Sequence, residues 1–486
     1  MKKIMVVVLS VVMIVLFVNG SSMTLSSAQS IDDFEDCSIC LVTTSGEKFD
    51  LESRNANISN NKDYSGVSSI AVDSQGFPHV VWEDSSYGNI DIMYIRWNGY
   101  SWVTANGDNY NPETGNANIS ENDSWSERPT IVLDSFDYPH IVWNDMNEKN
   151  SREIFYLRWN GSNWMTAEGE LYNPKTLNAN ISRNDGLSWN SELIVDAEDN
   201  PHILWEDHSY DNKCNVHYIK WYKGEWKTVE NNVFDPSIGN SNVSRSELLY
   251  EPSLTFDLDE DGYPYILWID MRSQNSVYLV KWSGVDWLTM NNEVYNPSSD
   301  NANIGNFIMW FDEMSTSVIQ IDSSGNPHIV WNCLPFAIYG SAIMYIRWNG
   351  QEWICVDGSA YDPYQSFQSA TISGFNFYQK SYNYNPFFVL DKNDNPHISW
   401  ASSTGGGIMY IHWDGMNWLC YNDKLYTTDP INARVIDSNS PWYCRIAVDS
   451  SDCLHFVWSE DQNDKRNLYE VFYITTKSDI SSTKSE

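Results

Sequence analysis

The sequence predicts an all-β protein: a seven-bladed β-propeller of four-stranded antiparallel blades, with the ring closed by the N-terminal strand. Three observations predict it. One phrase that ends in tryptophan recurs seven times at a nearly constant period. Each repeat contains short strands of alternating polarity, and the last repeat lacks an outer strand that the N-terminus can supply. Self-similarity at a fixed period is the signature of repeat architectures.

The repeated phrase first reads PHVVW. Its closing tryptophans are spaced 61, 62, 63, 63, 69 and 58 residues apart, at Trp82, Trp143, Trp205, Trp268, Trp331, Trp400 and Trp458. The phrase is apolar on both alternating faces, which predicts a strand in a sheet that is covered on both sides. Four-stranded sheets of this kind, repeated seven times, are typical of propeller blades around a central channel.

Each repeat divides into four short strands. SSIAVD forms the first strand of the first copy, PHVVW the second and IMYIRW the third, and the fourth begins at the second tryptophan of the pair Trp97 and Trp102. The turn after the first strand opens with an aspartate whose side chain can accept bonds from backbone N–H groups, and the Gly or Asp three residues later suits a left-handed conformation. The seven aspartates are Asp73, Asp134, Asp196, Asp259, Asp322, Asp391 and Asp449.

The last repeat ends after EVFYITT, at residues 470–476, without a fourth strand. At the other end of the chain, LVTTSGEKFDLESRNANIS (41–59) aligns with WVTANGDNYNPETGNANIS (102–120), apart from a one-residue shift. The N-terminus is therefore expected to supply the outer strand of the seventh blade. This pairing would leave the ring without free sheet edges.

The two ends of the chain are expected to lie outside the propeller. Residues 1–28 combine Lys2 and Lys3 with a 15-residue apolar run and a small-residue cleavage site, which is typical of a secretory signal peptide; a retained N-terminal anchor is the alternative. We expect a linker at 29–36, the propeller at 37–476 and a disordered tail at 477–486. The mature chain is then expected to be a secreted or cell-surface monomer that does not insert into a membrane.

The charge of the chain is strongly acidic. It has 65 acidic and 29 basic residues and a formal net charge of −36. Nucleic acids and anionic membrane surfaces are therefore poor partners. An acidic surface is compatible with simple solubility or with cation binding.

The repeat units resemble those of a known group of proteins. VDSQGFPHVVWED…YIRWNG and IDSSGNPHIVW…YIRWNGQEW resemble repeats of bacterial and archaeal surface proteins, which are similar to the Asp-box, or sialidase-like, β-propeller superfamily. The resemblance covers nearly all of the mature chain and implies a propeller. It does not imply one activity, because such propellers include enzymes, lectins and scaffolds.

A series of carboxylates and aromatic residues predicts a ligand-binding face. Asp84, Asp145, Asp207 and Asp270 stand two residues after the strand-two tryptophan, whereas Cys333 and Ser402 break the series. Large aromatics precede each first strand, at Tyr64, Trp125, Trp189, Tyr250, Trp310, Tyr382 and Trp442. Aromatic faces beside carboxylates suit sugar rings, and Trp125, Trp189 and Tyr250 are the predicted stacking residues. Capping of strand ends by the carboxylates and packing of the aromatics between blades are the alternatives.

The chemistry of sialidases needs an arginine cluster for the substrate carboxylate. The chain has twelve arginines, of which Arg128, Arg152 and Arg272 could reach the ligand face. Nothing else in the sequence marks these three as a triad. Six of the nine histidines lie in the strand-two phrase, one per blade, which favours a structural role over a metal site.

A calcium site and a disulfide are two further hypotheses. DLDEDG at 257–262 places Asp257, Asp259 and Asp261 on a glycine turn, as in calcium loops, although the turn alone needs only one aspartate. Cys37 or Cys40 could pair with Cys453 at the ring closure, and a Cys37–Cys40 bridge is the alternative.

The sequence favours a propeller that binds glycans or partner proteins without catalysis. A polysaccharide-active lyase or glycoside hydrolase that uses the top face, and a structural surface-layer scaffold, are the alternatives. An enzyme should show a few residues that break the repeat, including a close carboxylate pair or a His/Tyr pair with perturbed pKa values. A lectin should show similar aromatic and polar pockets in several blades, and a scaffold should show neither.

Overall fold

The computed structural model describes most of the chain from residue 41 to residue 476. The described ranges are 41–50, 53–61, 63–146, 151–184, 186–210, 213–245, 253–270, 276–306, 309–310, 316–335, 341–362, 366–373, 383–403, 406–426, 430–438, 441–461 and 469–476. Over these ranges the chain forms seven antiparallel sheets, which confirms the predicted propeller. Helical structure within them comprises a single turn at Phe367–Ala370 and a 3-10 turn at Pro430–Ala433.

The strands of each blade follow one another from the centre outwards. The innermost strands are β1 (Ser65–Val72), β5 (Ser126–Leu133), β9 (Ser188–Val195), β13 (Leu254–Leu258), β19 (Ser317–Ile321), β23 (Asn383–Leu390) and β28 (Pro441–Val448). The second strands are β2 (Pro78–Asp84), β6 (Pro139–Met146), β10 (Pro201–Tyr210), β14 (Pro264–Asp270), β20 (Pro327–Pro335), β24 (Pro396–Ser402) and β29 (Leu454–Asp461). Consecutive innermost strands contact each other from β1 round to β28, which in turn contacts β1.

The outer half of each blade is more irregular. The third strands are β3 (Asp91–Trp97), β7 (Arg152–Trp159), β11 (Lys213–Tyr222), β15 (Ser276–Trp282), β21 (Ala342–Trp348), β25 (Gly407–Trp413) and β30 (Tyr469–Thr475). The fourth strands are β4 (Trp102–Val103), β8 (Trp164–Met165), β12 (Glu225–Lys227), β16 (Trp287–Leu288), β22 (Trp353–Cys355) and β26 (Trp418–Cys420). Three additional short strands are β17 (Asn303–Asn306), which pairs with β15, β18 (Met309–Trp310), which pairs with β20, and β27 (Arg434–Asp437), which pairs with β25.

The edge of the third strand is covered in two pieces. Trp102 and Val103 pair with one end of β3, and the NANIS segment that follows the loop pairs with the other end. There Ile119 N donates to Ile92 O at 2.9 Å. The recurring NANIS segment therefore forms the second half of the outer edge of the blade.

The N-terminal segment does the same for the last blade, which confirms the predicted closure. Val42 and Thr475 exchange two backbone hydrogen bonds of 2.9 Å, and Ile58 N donates to Val471 O at 2.8 Å. Arg54 Nη2 lies 2.8 Å from Glu470 Oε2. This segment completes the seventh sheet, which otherwise has only β28, β29 and β30.

The repeated turns behave as the sequence predicts. Asp73 Oδ1 accepts bonds from the N–H groups of Gln75 and Phe77 at 2.9 and 2.8 Å. The residue three positions after the aspartate has a positive φ in every copy, for example 79° at Gly76 and 63° at Asp137. Asp137 also accepts two hydrogen bonds from Ser74 of the preceding blade, so this turn links neighbouring blades.

The strand-two histidines are buried between an aspartate and a tyrosine of their own blade. His202 Nε2 lies 3.1 Å from Asp196 Oδ2, and its Nδ1 lies 2.5 Å from the Tyr218 hydroxyl. Burial lowers the pKa of His202, against the attraction of Asp196. Burial tends to raise the pKa of Asp196, but the bonds from His202 and Asn200 outweigh it and bring the value to about 2. This arrangement agrees with the structural role predicted for these histidines.

The hydrophobic core lies between the blades. The seven strand-two tryptophans are buried, and each packs in an apolar cluster that also contains side chains of an adjacent blade. The predicted signal peptide, linker and C-terminal tail, together with Cys37 and Cys40, lie outside the described residues. Those predictions and the disulfide with Cys453 therefore stay untested. The described part of the chain contains no helix with the length and apolarity needed to cross a membrane.

Candidate functional site

The predicted ligand residues share one face of the ring. Ser65 at the start of β1 pairs with Asp84 at the end of β2, and Ser126 pairs with Asp145 in the second blade. The starts of the innermost strands and the loops between the second and third strands therefore lie on the same side. We call this side the top face, and the repeated tight turns lie on the opposite face.

The predicted carboxylates Asp84, Asp145 and Asp207 are buried and accept bonds within their own blade. The donors to Asp84 Oδ2 are Ser65 Oγ at 2.9 Å, Trp82 Nε1 at 2.9 Å and Asn61 Nδ2. The same three kinds of donor reach Asp145 and Asp207. The side chain of Asp270 lies outside the described residues. A ligand would have to displace these donors, so the contacts match the capping alternative, while ligand binding by these aspartates stays an untested prediction.

The predicted aromatic residues differ in exposure. Trp125 is 50% exposed, whereas Trp189 and Tyr64 are half-buried. Trp442 packs against Tyr384, with ring centroids 5.3 Å apart, as expected for packing between blades. Tyr250, Tyr382, Arg272 and the side chain of Trp310 lie outside the described residues. Of the two predicted stacking residues that the structure describes, Trp125 presents the larger exposed aromatic surface.

Two arginines of the second blade lie against the ring of Trp189. The Cζ atom of Arg152 is 3.9 Å from the ring centroid, and that of Arg128 is 4.7 Å from it. Arg152 Nε donates to Glu127 Oε2 at 3.3 Å, and Arg128 Nη1 donates to Asn190 Oδ1 at 2.6 Å. Guanidinium groups at such distances are attracted to the ring and keep their edges for hydrogen bonds. We call the set Trp125, Glu127, Arg128, Arg152 and Trp189 the arginine–tryptophan patch.

A β-bulge near the start of the innermost strands sets the direction of the side chains in this patch. The register of β1 shifts between Gly66 and Ser69, and β5, β9, β23 and β28 carry a shift at the matching place. Within the bulges Arg128 has a φ of 54° and Asn190 a φ of 49°. Bulges bend a strand and redirect its side chains, and they are common beside functional sites. The fold therefore turns the first residues of the innermost strands away from the regular alternation.

Glu83 lies beneath the patch as a buried carboxylate. It is 6% exposed, its Oε1 accepts a bond of 2.6 Å from the Tyr64 hydroxyl, and its Oε2 accepts one of 3.0 Å from Arg128 N. Burial raises the pKa of Glu83 to about 7, reinforced by the charge of Glu127 and opposed by these hydrogen bonds. Burial and the neighbouring Glu83 raise the pKa of Tyr64. The pair thus holds a proton that can be exchanged near neutral pH.

Glu206 is the matching residue in the third blade, and it lies in a cluster of three different side chains. Atoms of Glu206, His208 and Cys214 that could bind a metal all lie within 4.8 Å of one another. Cys214 Sγ lies 3.8 Å from Glu206 Oε2, and Asn190 Nδ2 donates to Glu206 Oε1 at 3.1 Å. Through Asn190 this cluster is connected to Arg128 of the patch.

Deeper in the ring, charges from two distant blades interact. Burial raises the pKa of Glu192 in β9, and the positive charge of Arg445 in β28 opposes this effect. The Cζ atom of Arg445 also lies 4.5 Å from the ring centroid of Phe387 in β23. These three side chains come from the innermost strands of the third, seventh and sixth blades, so they fill part of the central channel.

The aspartates predicted to bind calcium make other contacts. Asp257 accepts bonds from Leu258 N at 2.8 Å and Ile321 N at 2.7 Å, and Asp259 accepts one from Tyr263 N at 2.8 Å. Asp261 is exposed. Among the described residues, Glu206, His208 and Cys214 form the one group of three that meets the distance for a shared ion, so the structure does not bring these aspartates together in that way.

A polar cleft of about 640 Å³ lies beside the outer loops of the second blade. Its lining includes Glu153, Glu168, Glu170 and Arg183, and Arg183 Nη2 lies 3.1 Å from Glu168 Oε1. The remaining lining residues are Thr176, Leu177, Asn178, Asn180 and Asn184. Because sugar sites combine aromatic surfaces with polar groups, the arginine–tryptophan patch is the stronger candidate.

Sequence reasoning missed Glu83, Glu206, His208 and Cys214. A signal for part of this set is present, since His208 is one of three histidines outside the repeated phrase and Cys214 follows it closely. Glu83 and Glu206 both follow the strand-two tryptophan, where the other five blades have no carboxylate. Residues that break a repeat in this way are not required by the shared fold.

Comparison with known proteins gives remote structural similarity only. No family model and no curated protein matches the chain. An ulvan lyase of polysaccharide lyase family PL25 has 11% identity and a TM-score of 0.42, with 85% of this chain and 94% of that chain covered. An α-L-arabinofuranosidase of Fusarium graminearum has 11% identity and a TM-score of 0.40, with coverages of 87% and 97%. The Aleuria aurantia lectin has 11% identity and a TM-score of 0.38, with coverages of 76% and 97%. These similarities do not assign the chain to a family or an activity, and the sialidase-like resemblance stays a prediction.

Proposed function

We propose that this propeller is a secreted or cell-surface protein that binds glycans without catalysis, through the top face of its second and third blades. The observation that carries the proposal is the arginine–tryptophan patch. There, exposed Trp125 belongs to the same strand-one segment as Glu127 and Arg128, and two guanidinium groups lie on Trp189. Neighbouring blades do not repeat this combination of residues.

The patch offers the two kinds of contact that sugars use. The exposed face of Trp125 can stack on the C–H face of a sugar ring, which suits an amphipathic ligand. Arg128 and Arg152 each present several N–H donors, and Glu127 presents acceptors for hydroxyl groups. Trp189 holds the guanidinium groups in place, which reduces the entropy that they lose when a ligand binds. In this arrangement Trp189 supports the binding residues, and Trp125 contacts the sugar.

A glycan array followed by one substitution tests the proposal. The mature protein should bind at least one glycan, and Trp125→Ala should weaken that binding about tenfold or more, because aromatic stacking contributes about 1–3 kcal/mol. Phe136→Ala is the matched control, since Phe136 is 71% exposed in a tight turn on the opposite face. It should leave the dissociation constant unchanged.

Two results would contradict the proposal. If neither Trp125→Ala nor Arg152→Ala alters the affinity for the glycan that the array identifies, the binding site lies elsewhere. If no glycan binds, the surface-layer scaffold becomes the better hypothesis. Both variants should retain the thermal unfolding transition of the parent protein, which shows that the fold is preserved.

A polysaccharide-active enzyme is the second candidate, favoured by one observation. Glu83, whose pKa burial raises to about 7, lies 2.6 Å from the Tyr64 hydroxyl and interacts with Glu127. A group with a pKa near the working pH is suited to general acid–base catalysis. Incubating the protein with the glycan that it binds should yield shorter products if this candidate is correct, and Glu83→Gln should abolish them. Intact glycan after prolonged incubation would reject it.

A further inference from the structure

The hairpin of β10 and β11 carries a cluster with three different metal-binding side chains. Glu206 contributes a carboxylate, His208 an imidazole and Cys214 a thiol, and their candidate ligand atoms all lie within 4.8 Å of one another. Glu206 and Cys214 are buried, at 0% and 2% exposure, and His208 is half-buried. A buried carboxylate beside a thiol is costly unless the carboxylate is compensated by hydrogen bonds or a cation.

The shared fold does not explain these residues. The matching positions are occupied by Glu83, Ser85 and Ile90 in the first blade and by Asn144, Met146 and Arg152 in the second. Only the third blade combines a carboxylate, an imidazole and a thiol there. The three residues are therefore specific to this hairpin.

We propose that Glu206, His208 and Cys214 form a zinc-binding site with one open coordination position. Thiolate and imidazole ligands suit zinc, whereas calcium and magnesium prefer oxygen ligands alone. In a tetrahedral zinc site with bonds of 2.0–2.3 Å, ligand atoms lie about 3.5 Å apart. The 3.8 Å between Cys214 Sγ and Glu206 Oε2 is close to that value. When zinc binds, the thiol of Cys214 loses its proton to solvent and the thiolate coordinates the metal.

Neighbouring residues orient the carboxylate for this role. Asn190 Nδ2 donates to Glu206 Oε1 at 3.1 Å, which leaves Oε2 on the side of Cys214. Asn190 is held in turn by Arg128 Nη1 at 2.6 Å. Such outer partners fix the orientation of metal ligands, and their loss typically weakens metal binding about 10–100-fold. The fourth position, next to half-buried His208, is left for water.

Metal titration of the full mature protein tests the site. Protein stripped with a chelator should bind one Zn²⁺ by calorimetry, and Co²⁺ in its place should give a thiolate-to-cobalt charge-transfer band and the visible spectrum of tetrahedral cobalt. Cys214→Ser should remove the charge-transfer band and weaken Zn²⁺ binding by more than about 100-fold. Cys355→Ser is the matched control, because Cys355 is a buried thiol in the fifth blade. It should keep both the band and the affinity.

A second variant protects the test against misfolding. His208 is half-buried, so His208→Gln should fold like the parent protein while losing most of the Zn²⁺ affinity. Absence of a charge-transfer band in the parent protein would overturn the proposal. So would Zn²⁺ binding that neither Cys214→Ser nor His208→Gln changes. Glycan binding is measured separately, so that failure of the zinc site and failure of the proposed function remain distinguishable.

Discussion

Glu83 shows how one residue can alter the pH response of the whole protein. The residue is 6% exposed, and burial raises the pKa of its carboxyl group from 4.5 to about 7. The unfolded chain releases the proton near pH 4.5, whereas the folded protein keeps it until about pH 7. Glu83 therefore favours the folded state fully below pH 4.5, and its contribution is lost as the pH rises through 7.

Glu83→Gln should remove this pH dependence. The glutamine can accept from Arg128 N and donate to the Tyr64 hydroxyl, so both contacts can be retained. Relative to the variant, the parent protein should lose about 3 kcal/mol of stability between pH 4.5 and pH 8, at about 1.4 kcal/mol per pH unit. Urea unfolding of both proteins across this range measures the difference. A difference that stays constant with pH would contradict the raised pKa.

At the residue scale, the sequence showed which residues recur at equivalent positions better than it showed which contacts those residues make. Asp84, Asp145 and Asp207 were recognisable as a series, but two of the three donors to each lie far upstream, such as Ser65, 19 residues before Asp84. The link becomes visible only when the register of the first two strands is known. The zinc ligands were missed for a similar reason, since Glu206, His208 and Cys214 meet across a hairpin whose bulged register the sequence does not reveal.

At the scale of the element, six of the seven blades contain a hydrogen-bonded chain of aspartate, histidine and tyrosine. In the third blade it joins the turn at Asp196, the second strand at His202 and the third strand at Tyr218. The fourth blade departs from it in two positions at once, with Tyr265 in place of the histidine and Leu279 in place of the tyrosine. Loss of both partners together indicates that one without the other is unfavourable, because a buried imidazole nitrogen needs a hydrogen-bond partner.

Tyr218→Phe should therefore destabilise the protein by about 1–3 kcal/mol, since the His202 nitrogen loses its partner in a buried position. Tyr222→Phe in the same strand is the control, because Tyr222 is 38% exposed. The control should change stability by less than about 0.5 kcal/mol. Denaturant unfolding at pH 7 compares the two. Equal effects of the two substitutions would show that the buried chain contributes no specific stability.

At the scale of the whole molecule, the ring was predictable because repetition encodes it seven times. Repeated turn aspartates and NANIS segments specified the edges and the order of strands, and the structure confirms both. The site was less predictable, because function depends on residues that differ between blades. Trp125 and Trp189 could be selected from the sequence, but the contacts of Arg128 and Arg152 with Trp189 depend on the bulges in β5 and β9.

The ring is closed where the N-terminal segment, residues 41–59, packs against the last strand, β30. Val42, Ala56 and Ile58 of the closing segment are buried. Ala56 packs among side chains of the sixth and seventh blades, and Ile58 among side chains of the first and seventh blades. Phe49 lies edge-on to Trp458, with ring centroids 5.8 Å apart, and Arg54 pairs with Glu470. Without this segment β30 would expose an unpaired edge, and its apolar side chains would lose their cover.

A chain that begins at Asn60 should therefore aggregate or lose its cooperative unfolding transition. The lost burial of three apolar side chains alone costs several kcal/mol, at about 25 cal/mol per Å² of apolar surface, and the exposed strand edge adds a template for association. A chain that ends at Thr476 is the control, because it keeps every contact of the closing segment described above. Thermal unfolding followed by circular dichroism, with light scattering for aggregation, compares both with the mature protein. If the chain from Asn60 unfolds as sharply and at the same temperature as the mature protein, the N-terminal strand is not what holds the ring closed.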